Sequence, residues 1–240
     1  MLTINRSLPT ARVRLLIFDL DGTLVDSHVD LANSTNAMLR HLGRPEIPVD
    51  VIVSYIGDGV PMLVRRSLGN PDDERLVDHS IQFFLAWYGE HAHDNTYVYP
   101  GMFAALNCLY SSSDGTGRKL AILSNKPVNL MHDIIAALGL SKYFFQIYGG
   151  NSFPTKKPDP LGAFRLAKEA GVRPEETVVV GDSHNDVLTA RNAGMWSIGV
   201  TYGFSPLTLK INPPDVLVDR PEEIAMMFKP QAIGHQSADV

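Results

Sequence analysis

Six short apolar runs, with helical patterns between them, constrain the fold of this chain more than any other feature. They cover Leu15–Phe18, residues 120–124, 144–148 and 177–182, then Trp196–Val200 and Val216–Val218. Most are apolar throughout rather than alternating, which is the pattern of strands buried on both faces of a parallel sheet. The intervening spacing predicts helices over residues 127–138, 160–170 and 186–193, ended by Gly139, Gly171 and Gly194. The first two open on proline, which suits a first helical turn as glycine suits the position past the last one. Strands alternating with helices imply a three-layer α/β, Rossmann-like core with a mostly parallel sheet.

Residues 26–95 break this alternation. They carry no strand pattern. Leu31, Met38, Leu39 and Leu42 follow helical spacing and Gly43 comes next; a second helix begins near Pro61 and a third spans about residues 73–90. The expectation is a small all-helical domain at 26–95, inserted after the first strand of an α/β core made of residues 13–25 and 96–228. Residues 1–12 and 229–240 lack periodicity and are expected to be mobile.

Composition excludes several function classes. The net charge is -5 with no basic run, so there is no electrostatic footprint for nucleic acid or an anionic membrane. The first apolar run is far too short to cross a bilayer, and the residues before it form no signal-peptide core. A single cysteine, Cys108, precludes an intrachain disulfide. These features lead us to expect a soluble cytoplasmic protein, monomeric or homodimeric, whose partner is a small molecule.

Four segments carry chemistry, each at the end of a strand or in a loop near one. Asp19-Leu20-Asp21-Gly22-Thr23 follows the first strand. Reactive groups gather at the carboxyl ends of strands in open α/β sheets. Alternation aims Asp19 and Asp21 the same way and Leu20 into the core. Two carboxylates so close suit a metal site, or a nucleophile beside an acid/base; the segment also reads as an acidic turn. Gly181-Asp182-Ser183-His184-Asn185-Asp186 adds two more carboxylates, of the kind that hold Mg²⁺, or else caps the next helix. Ser124-Asn125-Lys126 offers a hydroxyl and amides for a phosphate, or a plain N-cap. Lys156-Lys157-Pro158-Asp159-Pro160 offers a held lysine that can neutralise a transferring phosphoryl group, or a solvated turn. His28 and His184 flank these motifs, but magnesium prefers oxygen ligands.

The four together, in this order, resemble the haloacid dehalogenase superfamily, with its D-x-D-G-T, Ser/Thr, Lys-before-Pro and G-D-x-x-x-D motifs. The resemblance covers nearly the whole chain, and the helical insert matches the family's small cap domain. Ser124-Asn125-Lys126-Pro127, Gly149-Gly150 ahead of Lys156-Lys157-Pro158, and Tyr55-Ile56-Gly57-Asp58-Gly59 ahead of Leu63-Val64 are similar to the bacterial phosphoglycolate phosphatases. The resemblance implies a magnesium-dependent phosphatase acting on a small phosphorylated metabolite. Asp19 would be the nucleophile and a metal ligand. Asp21 would be the acid/base and would ligate the metal through its carbonyl. Asp182 would be a further ligand. Asp186 would hold Lys157 or a water of the metal, and Lys157 would screen charge. Thr23, Ser124 and Asn125 would bind substrate. The acid at Asp21 favours ester chemistry over carbon–halogen or carbon–phosphorus cleavage. The cap would choose the substrate through Gly57, Asp58 and Gly59, with Arg65 or Arg66 meeting a substrate carboxylate; those arginines also read as a solvated helix face. The substrate expected first is 2-phosphoglycolate, then a range of sugar phosphates or nucleotides. A β-phosphoglucomutase-like phosphotransferase shares every motif. A phospho-accepting receiver domain is disfavoured by its shorter length, its lack of an insert and its adjacent acidic pair.

Overall fold

The computed structural model describes residues 2–110 and 118–229. The chain begins with β1 (Thr3–Ile4) and β2 (Leu15–Phe18), then leaves the sheet through β3 (Val25–Asp26). The helices α1 (His28–His41), α2 (Val49–Val53), α3 (Val60–Ser67) and α4 (Glu74–His91) follow. The return passes through β4 (Tyr97–Val98), which pairs antiparallel with β3. Then come α5 (Met102–Tyr110), β5 (Lys119–Leu123), α6 (Val128–Ala137), β6 (Gln146–Tyr148) and α7 (Leu161–Ala170). The chain ends its regular structure with β7 (Thr177–Gly181), α8 (His184–Asn192), β8 (Trp196–Val200), α9 (Pro206–Ile211), β9 (Val216–Val218) and α10 (Pro221–Met227).

The main sheet runs β1-β9-β8-β7-β2-β5-β6 and is parallel except for β1. Its central strands are buried on both faces, as their unbroken apolar runs require. Alternation divides β2 between two cores. Leu16 and Phe18 pack with Met102, Leu106, Met131 and Ile224 on one face. Leu15 and Ile17 pack with Ala163, Leu166 and Ala190 on the other. At full burial each Leu or Phe contributes roughly 1.5–3 kcal/mol of transfer free energy, so these two layers carry most of the domain's stabilisation.

The connection from β2 goes to β5 on one side, while β7 lies on the other. The sheet therefore has a switch point at β2, where a crevice opens beyond the carboxyl ends of the strands. Register fixes what enters it. Phe18 aligns with Ile122 and with Val180, so the residues that follow each strand meet at one level.

The helical insert has its own core, built on Met38, Leu39, Ile52, Val64, Phe84 and Tyr88. That core also includes Leu130 and Ile134 of α6, so the insert rests on the α/β domain. At its root the buried Asp30 carboxylate accepts hydrogen bonds from the Asn95 and Thr96 amides, from Asn95 Nδ2 and from Thr96 Oγ1, at 2.7–3.0 Å.

Several expectations need amendment. Residues 1–12 were expected to be mobile, yet Thr3 and Ile4 pair with Leu217 and Val216. Arg6 holds this edge by an ion pair to Asp215 at 2.6 Å and by stacking over Trp196. A two-residue strand is too short to leave a sequence signal. The strand β3 takes Asp26, so the first root of the insert is a strand. The helix expected at 186–193 starts two residues earlier, at His184, because Ser183 and Asp186 form a capping box. The expectation for 230–240 lies outside the described residues.

Candidate active site

Asp19 emerges directly from β2, and its amide still bonds Val180 across the sheet at 2.9 Å. One carboxylate oxygen accepts from the Leu20 amide at 2.7 Å and lies 2.9 Å from Lys157 Nζ. Lys157 is buried and also pairs with Asp186 at 2.6 Å. Burial disfavours the lysine's charge, but the Asp186 and Asp19 carboxylates outweigh it and raise its pKa. Asp19 itself is pushed up to about 6, chiefly by burial, which the neighbouring Lys157 only partly offsets. Asp182 is pushed well above the usual carboxylate range by burial and by the charges of Asp186 and Asp19. Its Oδ2 accepts from the Phe204 amide at 2.6 Å and the Ser205 amide at 3.2 Å.

Carboxylate oxygens of Asp19, Asp182 and Asp186 lie within 4.8 Å of one another. One lysine against three buried carboxylates leaves excess negative charge. An all-oxygen donor set that still lacks positive charge fits a hard divalent cation such as magnesium. Asp186 is the least free of the three, since it also accepts from the Ser183 hydroxyl at 2.7 Å and amide at 3.2 Å. Gly22 is required here: its φ is +80°, and a Cβ would come within 2.4 Å of Asp182 Oδ2.

Asp21 faces the same cavity but has different partners. It accepts from the Ser27 hydroxyl at 2.6 Å. Lys126 Nζ straddles its two oxygens at 3.1 and 3.2 Å and reaches the Tyr88 hydroxyl at 2.6 Å. Burial opposes the charge on Lys126, but Asp21 and then Tyr88 outweigh it and raise it to about 12. Tyr88 is raised to about 12 as well, mainly by burial, and so stays protonated. Sequence reasoning quoted Lys126 but gave it no role, and it missed Tyr88. A lysine in a polar loop reads as solvated, and nothing local signals a tyrosine arriving from α4.

The cavity between the insert and the core is about 40 Å³. Asp19, Asp21, Ser124, Asn125, Lys126 and Asp182 line its polar side; Leu31, Ile56, Val60 and Leu63 line the other, with Gly57 and Gly59 between. The expected site residues are thus largely brought together, with four exceptions. Thr23 is fully buried away from the cavity lining, and its Oγ1 has no partner among the described residues. Arg65 is turned to Glu74 at 2.5 Å and to the Pro71 carbonyl. Arg66 is turned to Asp58 at 2.6 Å and to the Tyr55 carbonyl. Asp58 reaches the core instead of the cavity. It accepts from Asn185 Nδ2 at 2.9 Å, and its own carbonyl accepts from Lys156 Nζ. Asn125 Nδ2 donates to the Gly57 carbonyl at 3.0 Å and to the Lys157 carbonyl at 3.1 Å. Residues 57–59 therefore fasten the insert to the core over the crevice.

The chain is similar to known proteins over most of its length. Residues 16–200 match the family described as haloacid dehalogenase-like hydrolase. A phosphoglycolate phosphatase of Neisseria meningitidis is 38% identical over 227 residues, covering 91% of this chain and 95% of that one. One from Chromobacterium violaceum is 40% identical over 200 residues, covering 80% and 87%. The crystal structure of a predicted phosphoglycolate phosphatase from Haemophilus somnus superimposes with a TM-score of 0.82 at 30% identity, covering 91% of this chain and 99% of the other. With the family matched over most of its length and the parallel sheet carrying the motifs at its crevice, this chain belongs to the haloacid dehalogenase-like hydrolases.

Proposed function

We propose that this chain is a magnesium-dependent phosphatase that hydrolyses 2-phosphoglycolate through a phosphorylated Asp19. The observation that carries the reading is the pairing of two carboxylates with different surroundings on one cavity. Asp19 is held by Lys157 among other acids, while Asp21 is held by Ser27 and Lys126. A nucleophile and an acid/base need this kind of separation.

In the first step an Asp19 oxygen attacks phosphorus and the bond to the leaving oxygen breaks. Asp21 gives its proton to that oxygen, so the leaving group departs as an alcohol. In the second step Asp21 takes a proton from water, whose oxygen attacks the same phosphorus. Phosphate leaves and the Asp19 carboxylate is restored. Attack of one anion on another is uphill, and Lys157 beside Asp19, with Ser124 on the cavity lining, lowers that cost. Asp19 and Asp182, with the Asp21 main-chain carbonyl, would hold magnesium, and Asp186 would hold Lys157 or a water of the metal. When bound, it would supply positive charge to the phosphoryl oxygens.

The relatives' names favour phosphoglycolate. The test is phosphate release from a panel of phosphoglycolate, sugar phosphates and nucleotides, with sugar-phosphate isomerisation measured alongside. The reading expects release from phosphoglycolate with the highest kcat/KM, none after chelation, and no isomerisation. A preference for a nucleotide or sugar phosphate would sink the substrate, and full activity in excess chelator would sink the metal.

A further inference from the structure

The two arginines nearest the cap loop are committed elsewhere, so a carboxylate on the leaving group needs another cation. Lys126 is the only cationic side chain lining the cavity among the described residues. It is buried, with 4% of its surface exposed, and charged. Its ammonium touches both oxygens of Asp21. Asp21 is the group that must protonate the leaving oxygen. In phosphoglycolate a single carbon separates that oxygen from the carboxylate. A carboxylate attached there arrives beside whatever already touches Asp21.

We propose that Lys126 is the residue that selects the substrate, by pairing its ammonium with the carboxylate of the leaving group. This inference rests on the phosphoglycolate reading and deepens it. The cavity is otherwise hostile to an anion at that end, because Asp19, Asp21 and Asp182 line one side and Leu31, Ile56, Val60 and Leu63 the other. Asp21 does not depend on Lys126 alone for its orientation, since Ser27 donates to it at 2.6 Å. The ammonium can therefore turn part of its bonding to an incoming carboxylate without releasing Asp21.

Tyr88 acts as a positioning residue for Lys126. Its hydroxyl sits 2.6 Å from Nζ, and its ring lies 4.5 Å beneath the same ammonium. Tyr88 belongs to α4 of the insert and Lys126 to the core, so recognition of the carboxylate is complete only with the insert seated. This gives the cap a part in selecting the substrate through a residue of the core.

The test compares kcat/KM for phosphoglycolate with kcat/KM for 2-hydroxyethyl phosphate, which has the same backbone but no carboxylate. Lys126→Gln keeps a hydrogen-bond donor for Asp21 and removes the charge. It should lower the ratio of the two constants by roughly tenfold to a hundredfold, the loss of one charged hydrogen bond. Binding to the inert Asp19→Asn protein, with and without Lys126→Gln, should show the same change in relative affinity. Equal loss on both esters would mean that Lys126 serves only Asp21, and would overturn the proposal. An unchanged ratio would overturn it too. If a thermal melt finds Lys126→Gln unfolded, Tyr88→Phe decides. It should raise KM for phosphoglycolate by about threefold or more with kcat little altered, as expected when Lys126 loses one positioning hydrogen bond but keeps its charge; an unchanged KM sinks the proposal. Wild-type protein that hydrolyses other esters but not phosphoglycolate would overturn this inference together with the proposed substrate, whereas a selective wild type with an unchanged variant ratio overturns this inference alone.

Discussion

Asp19 sits where burial and like charge work against its own ionisation, and Lys157 is the group that relieves this. Asp19→Asn should therefore abolish phosphate release without lowering the melting temperature of the metal-free protein. The amide cannot form the acyl phosphate, yet it removes one of three crowded charges. Residual turnover near the wild-type rate would refute the nucleophile. Arg65 has the opposite character. Its pairing with Glu74 is largely exposed on the Glu74 side, and it lines no part of the cavity. Arg65→Ala should cost less than about 1 kcal/mol in a urea titration, and it should leave the preference among esters where it was. A selective loss on phosphoglycolate would return the arginine to the site.

At the scale of elements, the decisive features are the root of the insert and the loop that fastens it. Asp30 on α1 gathers the backbone of residues 95 and 96 and ties the insert's exit to its entry. Removing a buried charged acceptor orphans those amides as well. Asp30→Ala should destabilise by about 2–4 kcal/mol in urea, and it should broaden the thermal transition as the insert loosens first. The loop at residues 57–59 is held by Asn185 and Asn125 from the core. Burial raises Asp58, but the hydrogen bond from Asn185 and the charge of Arg66 outweigh it and hold its carboxyl below the usual range. Asn185→Ala should weaken closure and raise KM severalfold while kcat changes little, because Asn185 bonds the loop and not Asp19 or Asp21. An unchanged KM would mean that this bond does not contribute to closure. Gly59 explains why the loop can come so close: with φ at +86°, a Cβ there would press on the Asn125 carbonyl at 2.9 Å.

For the whole molecule, the acid cluster links stability to pH and to metal. Asp19 has a folded pKa of about 6 against 3.8 unfolded, and Asp182 shifts in the same direction. Between those values the folded state binds more protons than the unfolded state, so the cluster's contribution to stability falls as pH rises from about 4 to about 6. A divalent cation held by the cluster would replace those protons. Magnesium should therefore raise the melting temperature of chelator-treated protein strongly at pH 7.5 and little at pH 5. Scanning calorimetry at both values checks this; an increment independent of pH would take the cluster out of the metal site.

The α/β core and the insert were legible from the chain because continuous apolar runs such as Leu15–Phe18 and glycine-ended helices depend on nearest neighbours in sequence. So was the place of Asp19 and Asp21 just past the first strand, since the apolar run stops at Phe18. What remained hidden depends on contacts across the sheet or between domains. Thr3–Ile4 is a strand only because β9 offers it an edge. Whether Arg66 faced substrate or Asp58 could not be read, since the same helix face serves either partner. Lys126 acquires its importance from Asp21 and Tyr88, which meet it only once β5 lies beside β2 and the insert rests on α6. Short-range pattern chose the elements and the residues that stand at their ends; long-range packing, by excluding water from charged groups brought together, decided which charges oppose, neutralise or hold one another.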